Sequence, residues 1–120
     1  MNDAKAVLRA MVEMFATGDV SDVESVVRAD YVDHQDDVRG PESFRALVKR
    51  VHESGDSVAV RVQDLIGDAD RAAARLRWTH TNRDGSLVER ETIDMVRCEN
   101  GQAVEHWGAE VLRRKEARDG

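Results

Sequence analysis

Near residue 56 the chain changes its apolar period, and it does not change back. Before that point apolar residues recur at three and four positions: Val7, Leu8, Met11, Met14 and Phe15, then Phe44, Leu47, Val48 and Val51. This spacing lines one face of an α-helix. After that point the period is two. Val58, Val60, Val62 and Ile66 come first, then Ala72, Ala74, Leu76 and Trp78, with His80 on the same parity. Such alternation belongs to strands that bury one face. Helices that come first and strands that follow exclude the alternating βαβ pattern of a parallel α/β domain. They predict an α+β domain with helices packed on one face of a curved, mainly antiparallel sheet.

Turn and cap residues divide the two halves. Asn2 or Asp3 can cap a first helix that runs to about Thr17 and stops at Gly18. Ser21 and Glu24 have the spacing of a capping box, which predicts a short second helix with Val23, Val26 and Val27 on one face. Residues 31–34 read as a short extended piece. Gly40-Pro41 opens a third helix and Gly55 ends it. The sheet is then expected to begin near Ser57. Turns follow at Gly67-Asp68, Asp84-Gly85 and Asn100-Gly101, the last being the strongest hairpin signal in the chain. They separate four long strands in a meander. Residues 113–120 read as a frayed, charged tail. The 120 residues suit one domain, 1–120, and leave little room for two.

Charge and cysteine usage narrow the partners. The formal net charge is -6, and the Arg residues are interleaved with Asp and Glu, so no basic surface for nucleic acid is expected. The one cysteine, Cys98, cannot staple the fold; it reads as a small structural hydrophobe, and no Cys/His cluster has zinc spacing. No apolar run marks a signal peptide or membrane span, and the expected location is the cytoplasm. No GxGxxG, Walker loop or HExxH is present.

Five segments then fall in a recognisable order: residues 30–34 (DYVDH), 40–44 (GPESF), 75–78 (RLRW), 93–97 (IDMVR) and 100–107 (NGQAVEHW). Together they resemble the SnoaL-like, polyketide cyclase-like branch of the NTF2-like superfamily, over about residues 4–112. The resemblance implies a cone: three N-terminal helices on a curved sheet, enclosing one pocket. It also implies cofactor-independent chemistry, since cyclases of the family close a ring by aldol chemistry with an Asp on the last strand and a His on the strand before it. Aligned on the Asn100-Gly101 hairpin, the family's His position falls on Asp94 and its catalytic Asp position on Gly108. Many relatives read His-Trp-Asp where this chain reads His106-Trp107-Gly108. The family mechanism therefore does not carry over intact.

The candidate residues follow from parity and from that resemblance. His106, two residues before Gly108, is expected on the pocket face, and its ordinary pKa of ~6.5 lets it exchange protons near neutrality. Asp94 has two readings. Periodicity alone puts Ile93 and Met95 inside and Asp94 outside, paired with an Arg; the resemblance puts Asp94 inside as an acid–base carboxylate. Tyr31, His34, Trp78, His80 and Glu110 are candidate substrate-binding residues. Tyr31 and Trp78 also have a core-packing reading, His80 a loop-edge one and Glu110 that of a solvated strand end. Arg75 and Arg77 are expected on the convex face, paired with Glu89 or Glu91, and His52 on a helix surface. Two functions stand open. One is an acid–base enzyme of the cyclase, dehydratase or isomerase type on a small apolar carbonyl or hydroxyl compound, with Asp94 and His106 catalytic. The other is a non-catalytic small-molecule-binding protein, which Gly108 favours. With Asp94 inward, Ile93, Met95, Ala103, Trp107 and Ala109 would face outward, and a homodimer through the sheet is expected.

Overall fold

In the computed structural model, residues 3–35, 37–53 and 57–116 are described. The elements are α1 (Ala4–Thr17), α2 (Val23–Val26), β1 (Val27–Asp33), β2 (Val38–Arg39), α3 (Gly40–Glu53), β3 (Ser57–Gly67), β4 (Arg71–Thr81), β5 (Leu87–Glu99) and β6 (Gln102–Glu116). Six strands form one sheet in the order β2-β1-β6-β5-β4-β3. All neighbours pair antiparallel except β1 and β6, which are parallel. Asn2 and Gly55, read from the sequence as a cap and a helix stop, lie outside the described residues, as does the end of the tail.

The helices form where the pattern and the caps agree. Asp3 caps α1 by accepting from the Ala6 N–H at 2.9 Å. Gly18 ends it in the left-handed region at φ 78°, its N–H donating to the Met14 carbonyl. Val7, Leu8, Met11 and Met14 are buried along one face of α1, each contributing roughly 1.5–3 kcal/mol. Phe15 sets its ring edge-on against Phe44 of α3 and Trp78 of β4, at 5.4 and 5.7 Å between centroids. His52 is not a free surface residue: its Nε2 donates to the Phe15 carbonyl at 2.6 Å and its ring covers Gly18. That contact ties the end of α3 to the end of α1.

The second helix is shorter than expected. It is one turn, begins at Val23 and has no side-chain cap, so the Ser21/Glu24 capping box does not form. Val27 leaves the helix to pair with Ala103. Consecutive β-branched residues favour that extended path. The extended piece expected at 31–34 is thus a longer strand, Val27–Asp33. The tail is also more ordered than expected. β6 continues to Glu116, opposite Leu87.

Bulges at Val62/Asp64 on the β3–β4 pair and at Glu91/Thr92 and Arg97/Cys98 on the β5–β6 pair bend the sheet. The last of them changes parity. Cys98 pairs with Ala103 but Arg97 with Glu105, leaving Val104 as the extra residue. Ala103 therefore turns inward and is fully buried, not convex as simple alternation predicts. Ile93 is exposed and Met95 half-buried on the convex face, while Asp94 is buried on the concave one. Arg75 pairs with Glu91 and Asp64 at 2.7 Å each, on the convex side.

Candidate active site

Three neighbouring strands bring three titratable side chains together on the concave face. Asp33 ends β1, directly opposite His106 of β6. Asp94 of β5 stands opposite Gly108, two pairs along from the Val96–His106 pair and so on the same face. His106 Nδ1 is 2.9 Å from Asp33 Oδ1, and His106 Nε2 is 2.8 Å from Asp94 Oδ1. Asp33 is 4% exposed, Asp94 6% and His106 8%, so the unit has little access to water.

The hydrogen-bond directions fix where the protons are. The Trp78 indole N–H donates to Thr92 Oγ1 at 2.9 Å, and the Thr92 hydroxyl donates to Asp94 Oδ2 at 2.6 Å. Asp33 Oδ1 also accepts from the Gln35 backbone N–H at 2.9 Å. An ionised carboxylate only accepts, so both ring nitrogens of His106 must carry protons when both aspartates are charged. Burial alone would lower the His106 pKa, but the hydrogen bonds and charges of Asp33 and Asp94 outweigh it and push it up to about 9. Counted with ordinary carboxylate charges, the unit is carboxylate–imidazolium–carboxylate, with one net negative charge.

Above this polar floor is a cavity of about 220 Å³. Its wall is apolar, from Leu8, Met11 and Phe15 of α1, Phe44 and Leu47 of α3, and Leu76 of β4. Gly108 shapes the floor by having no side chain. A Cβ there would run into Gln35 Oε1 and come within 2.9 Å of Asp94 Oδ1. The space that an aspartate would fill at this position is occupied by Gln35 and Asp94.

Of the residues singled out in the sequence, Asp94, His106, Tyr31, Trp78 and His80 line the cavity. His34 and Glu110 do not. His34 directly follows Asp33, so the pleat turns it to the other side, where it stacks on Trp107 at 5.2 Å and donates to Glu105 at 2.9 Å. Glu110 lies opposite Thr92 and is held by Arg113 at 2.9 Å. Asp33, Gln35, Thr92 and Arg90 also line the cavity, although the sequence reading gave them no role. The signal for Asp33 was its two-residue spacing from Tyr31, whose hydroxyl reaches Asp33 Oδ2 at 3.5 Å.

A helix-lidded, bulged sheet with a polar floor under an apolar cavity defines a small cavity protein of the NTF2-like type. The chain belongs to the SnoaL-like polyketide cyclase family, whose model matches residues 5–110. Solved structures similar to it include a SnoaL-like polyketide cyclase from Agrobacterium tumefaciens, at 15% identity and TM-score 0.77, covering 92% of both chains. IdmH from Streptomyces antibioticus is 20% identical at TM-score 0.79, covering 92% of this chain and 93% of the other. A computationally designed 17-OHP binder is 15% identical at TM-score 0.78, covering 96% and 98%. At these identities the likeness is one of fold. No curated protein matches the chain. Among the described residues no helix is long and apolar enough to cross a membrane.

Proposed function

We propose that the protein is a cofactor-independent acid–base enzyme that moves a proton on a small, largely apolar carbonyl or hydroxyl compound, in a cyclisation, dehydration or isomerisation. The observation that carries this reading is His106, held between two buried carboxylates under an apolar cavity. Asp94 takes a proton from the carbon beside the carbonyl, and the C–H electron pair moves into the enolate. The unit changes from one net negative charge to none while the substrate becomes negative. The neighbouring imidazolium donates to the Asp94 carboxylate before the step, and Asp33 holds the ring in place. Asp94 then returns its proton to another carbon, to a departing hydroxyl or to the new alkoxide. Removal of water by the apolar wall makes these charge interactions stronger than they are in solution.

The test is exchange of solvent deuterium into the α-carbon of a panel of cyclic ketones and diketones, followed by NMR. Wild type should accelerate exchange for at least one compound, and Asp94→Asn should abolish it because an amide cannot take up the proton. Equal exchange in wild type, Asp94→Asn and His106→Ala would replace the enzyme with the second reading, a binding protein without chemistry. Gly108, where many relatives carry the catalytic aspartate, favours that second reading.

A further inference from the structure

Arg90 lines the cavity at the end away from Asp94 and has no part in the proton transfer. It stands four residues before Asp94 on the same face of β5, which separates their Cα atoms by about 13 Å at ~3.3 Å per residue. Its guanidinium lies over the Trp78 ring at 5.5 Å, and its Nε donates to His80 Nε2 at 3.1 Å. His80 therefore accepts on Nε2 and brings no negative charge to the arginine. The carboxylate within reach is Glu110, at 3.5 Å, but Arg113 holds that same group at 2.9 and 3.2 Å. The Arg90 side chain is 23% exposed. Among the described residues it is the only Lys or Arg that lines the cavity.

The two ends of the cavity thus carry opposite charge. The Asp33–His106–Asp94 floor is net negative and repels an anion; the Arg90 end attracts one. Between them the wall is apolar, and about 220 Å³ exceeds the roughly 150 Å³ in which an apolar cavity takes up a benzene ring. We propose that Arg90, held by His80 and the Trp78 ring, is an anion subsite, and that the ligand is a ring-sized apolar acid. Its carboxylate sits on the guanidinium, and its reacting carbon lies at Asp94 and His106. The second half of this assignment rests on the function proposed above; the first concerns binding alone. Arg suits the role because its guanidinium carries five donors; Nε goes to His80 and Nη1 reaches Glu110 only at 3.5 Å, which leaves the Nη2 donors for a carboxylate.

Isothermal titration of phenylbutyrate and naphthoate, each against its primary amide, tests the subsite. Wild type should bind the carboxylates about tenfold or more tighter than the amides, as expected for a charge-assisted hydrogen bond. Arg90→Gln should bring the carboxylates down to the amide level and leave the amides unchanged; Arg90→Lys should keep part of the preference. Asp94→Asn should keep the full preference even where it abolishes deuterium exchange, so the subsite and the chemistry can fail separately. The subsite is overturned if wild type binds amides and carboxylates alike or binds neither pair, or if Arg90→Gln weakens both forms equally.

Discussion

Asp94 Oδ1 lies 2.9 Å from the point where a Cβ on Gly108 would stand. The glycine and the inward carboxylate are therefore one arrangement, not two separate departures from the family pattern. Asp94 and Gln35 together occupy the space that a longer residue at 108 would need. Gly108→Ala should destabilise the fold by roughly 1–3 kcal/mol through overpacking, read as a lower urea midpoint. Gln35→Ala in the same chain should recover part of that loss, because Gln35 Oε1 is the first atom met. An unchanged midpoint in Gly108→Ala would mean that Gln35 moves aside freely. Gly108→Asp adds a third carboxylate beside Asp94 and is expected to disrupt proton exchange; a gain of cyclase-like activity would mean that the natural chain has a different role.

Protonation of His106 can be observed directly. Its imidazole should titrate near pH 9 in wild type by nitrogen NMR, well above the ordinary value. Asp33→Asn removes one of the two carboxylates that stabilise the imidazolium, so the pKa should fall. An imidazole that titrates near ~6.5 in wild type would contradict the charge state assigned to the floor.

Stability should follow the same proton. The folded pKa of His106 is raised, so the folded state holds a proton that the unfolded state releases near ~6.5. The stabilisation is fully present below that pH and is lost as pH rises through about 9. Cys98, whose thiol burial pushes up to about 11, adds its own loss only from about pH 9 upward. Urea unfolding between these limits should show wild type losing a few kcal/mol, with His106→Gln much flatter. Parallel slopes for the two proteins would remove His106 from the linkage.

His106→Ala should reduce turnover by roughly 10²–10⁴, the range of one general acid–base group. It also leaves Asp33 and Asp94 buried without the cation between them, so stability should fall by roughly 3–5 kcal/mol at neutral pH. His106→Gln keeps a donor toward one carboxylate and should recover part of the stability without recovering turnover. Recovery of both would make His106 a structural residue only.

The convex face bears on assembly. Ile93 pairs with Ala109 and Met95 with Trp107, which makes an apolar patch across β5 and β6. Homodimerisation through this face is expected, with Ile93→Lys shifting the protein to monomer in light scattering at micromolar concentration. A wild-type monomer under those conditions would count against the dimer.

Much of the fold was legible because periodicity is local. The change of period near residue 56, Gly18, Gly40-Pro41 and Asn100-Gly101 place α1, α3 and the four long strands from neighbouring residues alone. The phase of a strand is less local. On β5, hydrophobicity alone would bury Ile93 and Met95; the tertiary fold buries Asp94, because His106 and Thr92 hold its carboxylate and the cavity needs a polar floor. The order of residues along β6 likewise says nothing of the bulge at Val104 that turns Ala103 inward.

What the sequence by itself determined is the class of fold, the helices-then-strands order and the shared face of His106 and Gly108. What only the tertiary structure decided is that Asp33 and Asp94 meet His106 on that face. Asp33 reaches His106 from 73 positions away because β1 enters the sheet beside β6 and parallel to it. No local pattern encodes that pairing. It follows from β1 joining the bent sheet beside β6, with α3 packed against β1, which turns three separate polar residues into one buried proton-holding unit.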